Sequence, residues 1–168
     1  TAFYGLSNLN SVVFLGASQI DTIGDAAFSD CESLNFIEIP YTITSIGIMP
    51  FYNTGIWNNT PDDSVVYANR WVVGYKGTIH GTLEIAEDTL GFSEMALYGC
   101  WLTSISIPFV GAMKYGTTNT HFGYIFGADN YSENSTHIAP SLETVIITGA
   151  GNLYKRDIAS HAFYECTS

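Results

Sequence analysis

The chain repeats itself roughly every 23 residues, and a unit that short cannot enclose its own apolar side chains, so it must stack on copies of itself. The clearest copy is Leu34-Asn35-Phe36-Ile37-Glu38-Ile39-Pro40-Tyr41-Thr42-Ile43-Thr44-Ser45-Ile46-Gly47, followed by Pro50-Phe51. Three apolar markers recur in phase. An aromatic after a small or turn residue stands at Ala2-Phe3, Ala27-Phe28, Pro50-Phe51 and Ala162-Phe163, with Ala96-Leu97 as a variant. A Leu-x-x-Ile/Val-x-apolar element begins at Leu9, Leu34, Leu102 and Leu142, with a degraded copy at Leu83 and Ile85. A third marker precedes the aromatic at Ile23, Ile46, Phe92 and Ile158.

Period-two alternation and β-branched residues make the Leu-x-x-Ile-x-Ile element a short strand joining a parallel ladder. Pro40 and Pro108 end two of these strands, and a Gly-assisted corner begins the return leg. The expected architecture is a solenoid, mainly β, with short parallel strands, irregular or turn-like return legs and one continuous narrow core. Two irregular insertions, at about 52–80 and 111–140, break the period. In the first, Ser64 to Tyr75 reads as a hairpin turning at Asn69-Arg70, which replaces a coil and buries one face. The second, rich in Gly, Asn, Thr and Ser around Phe122, Tyr124 and Phe126, reads as an ordered loop excursion.

Thr44-Ser45-Ile46-Gly47, Ala27-Phe28-Ser29-Asp30-Cys31 and Ile37-Glu38-Ile39-Pro40 resemble the leucine-rich repeats of the BspA-like (Treponema pallidum-type) family of bacterial surface proteins. The resemblance extends over essentially the whole chain. Pro61 to Tyr67 with Gly74 to Gly77, and Asn119 to Gly127, look like insertions found in gut clostridial members. Leu6 stands where the pattern has Cys, and Phe92-Ser93 and Lys155 replace return-leg residues. The resemblance implies a leucine-rich-repeat solenoid over residues 1–168, as one segment of a longer chain, that adheres to host or matrix protein at the bacterial cell surface or in the extracellular space.

Composition narrows the partners. Asp and Glu number 16 against five Lys and Arg, a formal charge of -11. Nucleic acid and anionic lipid are recognised by basic surfaces, so neither is an expected partner. No apolar run has the roughly 18 residues of a membrane helix, so this segment is not expected to insert in a membrane.

Chemistry is sparse. Cys31, Cys100 and Cys166 lie about three coils apart, roughly 14 Å at the spacing of strands, which is too far for a disulfide and favours buried thiols. His80, His121, His137 and His161 lack metal-ligand spacing, and Asp129, Asn130, Glu133 and Asn134 match a calcium loop only in composition. No paired-carboxylate frame or Gly-x-Ser-x-Gly is present, so no catalytic residue, metal or cofactor is expected.

Binding surfaces remain. Alternation points Ser11 and Val13, Phe36 and Glu38, Thr82 and Glu84, Ser104 and Ser106, and Thr144 and Ile146 outward, unless inserted loops cover them. A second set, Tyr41, Trp57, Tyr67, Trp71, Tyr75 and Trp101, either closes the core where the repeat is interrupted or stacks on sugar rings. The function expected is that of a non-catalytic protein-interaction and adhesion module. Polysaccharide recognition by the exposed Trp and Tyr residues, or a purely structural spacer, are the alternatives.

Overall fold

The computed structural model describes residues 2–15, 19–149 and 158–166; Lys155 lies outside them. Its organising element is the turn that carries each repeat's aromatic. Two residues before the aromatic the backbone is left-handed, at Ala26, Met49, Met95 and His161, and two residues after it is left-handed again, at Gly5, Asp30, Asn53, Gly99 and Glu165. These flanks aim alternate N–H groups out of their own turn and at the next repeat. Phe3 N–H donates to the Ala27 carbonyl (2.8 Å) and Gly5 N–H to Ser29 (2.9 Å); Phe28 and Asp30 do the same to Pro50 and Tyr52, each at 2.9 Å. The backbone register stacks the rings. Phe3 lies on Phe28 at 5.1 Å and 2° between planes, and Phe28 on Phe51 at 5.3 Å and 5°.

Strands form only where a neighbouring segment supplies a ladder. β1 (Thr22–Ile23) and β2 (Ser45–Ile46) pair in parallel on the return leg. The Leu-x-x-Ile segments of the first two repeats are not strands, contrary to the expectation, although their burial alternates as anticipated: Leu34, Ile37 and Ile39 are buried, Phe36 and Glu38 exposed. Beside the second of them stands the short helix α1 (Gly55–Asn58), capped by the Thr54 hydroxyl, in the place of a next strand. Ile56 N–H donates to the Leu34 carbonyl at 2.8 Å, and the Asn59 amide donates to the Asn35 side chain at 2.8 Å.

The hairpin expected at Ser64–Tyr75 is present as β3 (Ser64–Ala68) and β4 (Trp71–Lys76), with Asn69 left-handed at the turn. β4 also pairs in parallel with β6 (Gly91–Phe92). The hairpin buries both faces rather than one. Val66, Ala68, Trp71 and Val73 pack with Phe51 and Ile46, while Val72, Val65, Tyr67 and Tyr75 pack with Phe92, Leu97 and Leu102. The core is therefore two clusters with a hairpin between them, not one continuous strip.

Beyond the hairpin the expected parallel strands appear. β5 (His80–Glu84), β7 (Trp101–Ile107) and β8 (Thr144–Ile147) form a three-stranded parallel sheet in the order β5-β7-β8. The described residues thus hold three small sheets in place of a single ladder.

The segment 111–140 is not the loop excursion expected. Its 3-10 turn Phe122–Phe126 is buried throughout and stands in for a repeat turn. Leu97 N–H donates back to the Ile125 carbonyl and Phe122 N–H donates forward to Ala162, both at 2.8 Å, the same pattern that joins the regular repeats. Phe122 also packs on Phe163 at 5.2 Å. Asn134, at the start of α2 (Asn134–His137), locks this stand-in from a fully buried position. Its carbonyl oxygen accepts from Gly123 N–H at 2.8 Å, and its amide donates to the Ala162 and Tyr164 carbonyls, each at 3.1 Å.

Phe51 is fully buried between Phe28 and the hairpin. Phe51→Ala is expected to lower the unfolding free energy by about 3–5 kcal/mol in a denaturant titration. Gly99→Ala, at φ +82 where the added methyl would meet only the Tyr75 hydroxyl, at 3.4 Å, is expected to cost about 1–2 kcal/mol through backbone strain.

Candidate interaction surface

The outer positions of the first two repeats are open to solvent. Phe36 is 65% exposed, Tyr41 85% and Val13 74%; Leu15 and Glu38 are exposed as well. Among the described residues no inserted segment covers them. Their exposure follows from the alternation: Ile37 and Ile39 are drawn into the core, which leaves Phe36 and Glu38 no inward course. Tyr41 follows Pro40 at the point where the chain turns into the return leg. Large apolar side chains held in water on successive repeats are a common mark of a contact surface.

The wider aromatic set divides. Trp71 is 2% exposed, and its six-membered ring lies against Gly91, where even a methyl group would collide with it; it is a core residue and offers no ring to a ligand. The hairpin's two-sided burial is the reason. Trp57 is half-buried, over Gly74 and edge-on to Tyr52 at 5.3 Å. Tyr67 is half-buried and its hydroxyl accepts from Ala86 N–H at 3.1 Å. The Tyr75 hydroxyl donates to the Tyr98 carbonyl at 2.8 Å, and burial raises its pKa. These four close the structure around the hairpin. Trp101 alone of the tryptophans is well exposed, at 61%, and it stands on β7 opposite His80 of β5. No ring contact or hydrogen bond joins it to Phe36 or Tyr41 among the described residues.

The polar residues first suspected of chemistry have local tasks. Cys31 and Cys100 are buried and free, as expected, and burial pushes the Cys100 thiol up to about 12. Cys166 is free but exposed, against the expectation of a buried thiol; it lies at the edge of the described residues, where no further described repeat packs over it. His121 is buried with its Nε2 2.8 Å from the Ala128 carbonyl, and His161 stacks on Tyr131 at 4.8 Å. Glu133 accepts from Asp129 N–H at 3.0 Å and from the Asn130 amide at 2.9 Å, so the would-be calcium loop satisfies itself. Among the described residues no three of His, Cys, Asp and Glu are grouped as a metal site requires.

One electrostatic feature was not foreseen. Burial pushes the Glu94 carboxyl above its usual value, and the charges of Asp25 and Asp129 push it further. Tyr124 beside it is driven up to about 12, chiefly by burial and then by the Glu94 charge, against a hydrogen bond with Ser45 that lowers it. These acids are far apart in sequence and meet only because the Phe122–Phe126 turn packs against the earlier repeats.

Short parallel strands and inward-facing Leu and Ile, on repeats joined by backbone hydrogen bonds at intervals near 23 residues, define a leucine-rich-repeat protein. Residues 1–116 match the sequence model of the BspA type leucine rich repeat region in six copies, and the chain belongs to that family. No curated protein and no solved structure matches it. No helix among the described residues is long and apolar enough to cross a membrane.

Because Glu94 titrates higher in the folded chain than in the unfolded one, its contribution to stability is present below the unfolded carboxyl value of 4.5 and is lost as the pH rises through the folded value. Glu94→Gln is therefore expected to raise the melting temperature at pH 7 and to flatten its decline between pH 5 and pH 7. Thermal unfolding followed across that range checks it; a melting temperature at pH 7 no higher than the parent's is the contrary result.

Proposed function

We propose that the chain is a non-catalytic interaction module of a bacterial cell-surface or secreted protein, a single solenoid over residues 1–168 that adheres to host or matrix protein. Its contact face is formed by Phe36, Glu38 and Tyr41 together with Val13 and Leu15 of the preceding repeat. The observation that carries the reading is Phe36: a large ring left in water on the outer side of a segment whose Leu34, Ile37 and Ile39 are buried in the core. Family membership supports it, since leucine-rich repeats of this type are interaction modules associated with bacterial surfaces. The charge supports it too, because a surface of formal charge -11 favours a basic polypeptide over nucleic acid or anionic lipid.

An aromatic at the centre of a protein interface commonly contributes 2 kcal/mol or more, about thirtyfold in affinity. Phe36→Asp is expected to abolish binding to immobilised extracellular-matrix proteins measured by surface plasmon resonance, with the melting temperature little changed because the residue is 65% exposed. Retained binding in that variant, or no binding by the parent chain to any matrix protein, would count against adhesion through this face.

A further inference from the structure

The outer face of the β5-β7-β8 sheet differs in kind from the apolar face of the first two repeats. Its register places Thr82, Ser104 and Thr144 side by side across the three strands, and Glu84, Ser106 and Ile146 side by side in the next row. Neighbouring rows are roughly 6.7 Å apart along the strands and neighbouring columns about 4.8 Å apart across them. Four of these six positions are hydroxyls. None of the four hydrogen-bonds to another protein group among the described residues, whereas the hydroxyls of Thr42, Thr44 and Ser141 are all engaged with backbone carbonyls of a neighbouring repeat. At the end of the array stands the exposed ring of Trp101, with His80 as its cross-strand neighbour. The bulge between Gly81 and Thr82 separates this pair from the hydroxyl rows.

We propose that this face is a binding platform for a neutral polysaccharide, with Trp101 stacking on one sugar ring and the hydroxyls of Thr82, Ser104, Ser106 and Thr144 pairing with the hydroxyls of the sugars that follow. An indole presents a flat apolar surface and an N–H at its rim, which matches a sugar ring's C–H face and its ring of hydroxyls. Charge selects the ligand further. None of the five Lys and Arg lies in β5, β7 or β8, while Glu84 lies on the face and Glu143 immediately before β8. An acidic glycan, or any acidic partner, would be repelled; an uncharged one is not. A protein partner fits less well, since the cores of protein interfaces are aromatic and apolar and this face offers only Trp101 and Ile146 of that kind.

This site is distinct from the Phe36 face, and its test leaves that reading untouched. The whole chain is run in native affinity gels containing hydroxyethylcellulose, xylan or a soluble β-1,3-glucan, with polygalacturonate as the acidic comparison. At least one neutral polysaccharide is expected to retard the parent chain and polygalacturonate is not. Trp101→Ala and Ser104→Glu are each expected to weaken that retardation about tenfold or more, as loss of an aromatic stack implies, while Phe36→Asp leaves it unchanged. The Trp101 side chain is exposed, so its removal does not threaten folding, and matching circular dichroism spectra establish this. The proposal is overturned if none of the three neutral polysaccharides retards the chain, if polygalacturonate retards it equally, if Trp101→Ala binds as the parent does, or if Phe36→Asp abolishes the retardation.

Discussion

Every repeat junction in the regular part of this chain rests on one backbone device: an aromatic flanked on both sides, at a distance of two residues, by the left-handed conformation. That conformation costs an ordinary residue roughly 1–2 kcal/mol, and the hydrogen bonds it aims at the next repeat return about 0.5–1.5 kcal/mol each. Gly, Asn and Asp, which tolerate it best, occupy four of the five positions after the aromatic; Ala26, Met49 and Met95 accept the strain before it. The rest follows from the junction. Rings stack because the backbone register places them one above another, and the interior is lined by Leu and Ile because the segment between two junctions has only one side that faces its neighbours. The outer face is solvent-exposed for the same reason.

Much of this is written in the sequence, though not all of it in the same way. The spacing of Phe28 and Phe51, and the inward Leu34, Ile37 and Ile39, are legible because burial imposes a period on apolar residues. The hairpin is legible from Asn69-Arg70 between two β-branched runs. Whether Leu34 to Ile39 finds a strand partner is not legible, since alternation records which way a side chain points and not what lies across the hydrogen bonds. Phe122–Phe126 is misleading because a short aromatic segment among Gly, Thr and Asn has the composition of a loop; only its backbone hydrogen bonds with Leu97 and Ala162 reveal that it fills a repeat's place. Dihedral angles leave the faintest trace. The left-handed pair shows only as a scatter of Gly, Asn and Asp that turns up wherever chains bend.

The surface residues divide along the same line. Phe36 and Trp101 could be found from the repeat, since a residue adjacent to an inward Ile or Leu must point outward; Tyr41, between Pro40 and Thr42, stands at the turn that follows. Tyr67, Trp71 and Tyr75 could not be sorted, because a hairpin apolar on both faces gives no periodic signal to say which ring is enclosed, and Trp57 lies on a single helical turn too short to show a period. Thr82, Ser104, Ser106 and Thr144 are legible as outward positions but not as an array: they are unremarkable singly and acquire meaning only through a register that joins residues dozens of positions apart. The first repeats thus present a wet apolar face and the later ones a hydroxylated one, on a chain whose net charge is strongly negative throughout.

Val72 and Val73 are consecutive residues that belong to different cores, which makes β4 a party wall. A repeat at either end can fray without disturbing the far side, but β4 loosens only when the clusters on both of its faces have given way. Its amide protons should therefore be among the slowest in the molecule to exchange with solvent, although the hairpin is the part of the chain that departs furthest from the repeat. The interruption, and not the regular pattern around it, is where the two halves are made into one cooperative body.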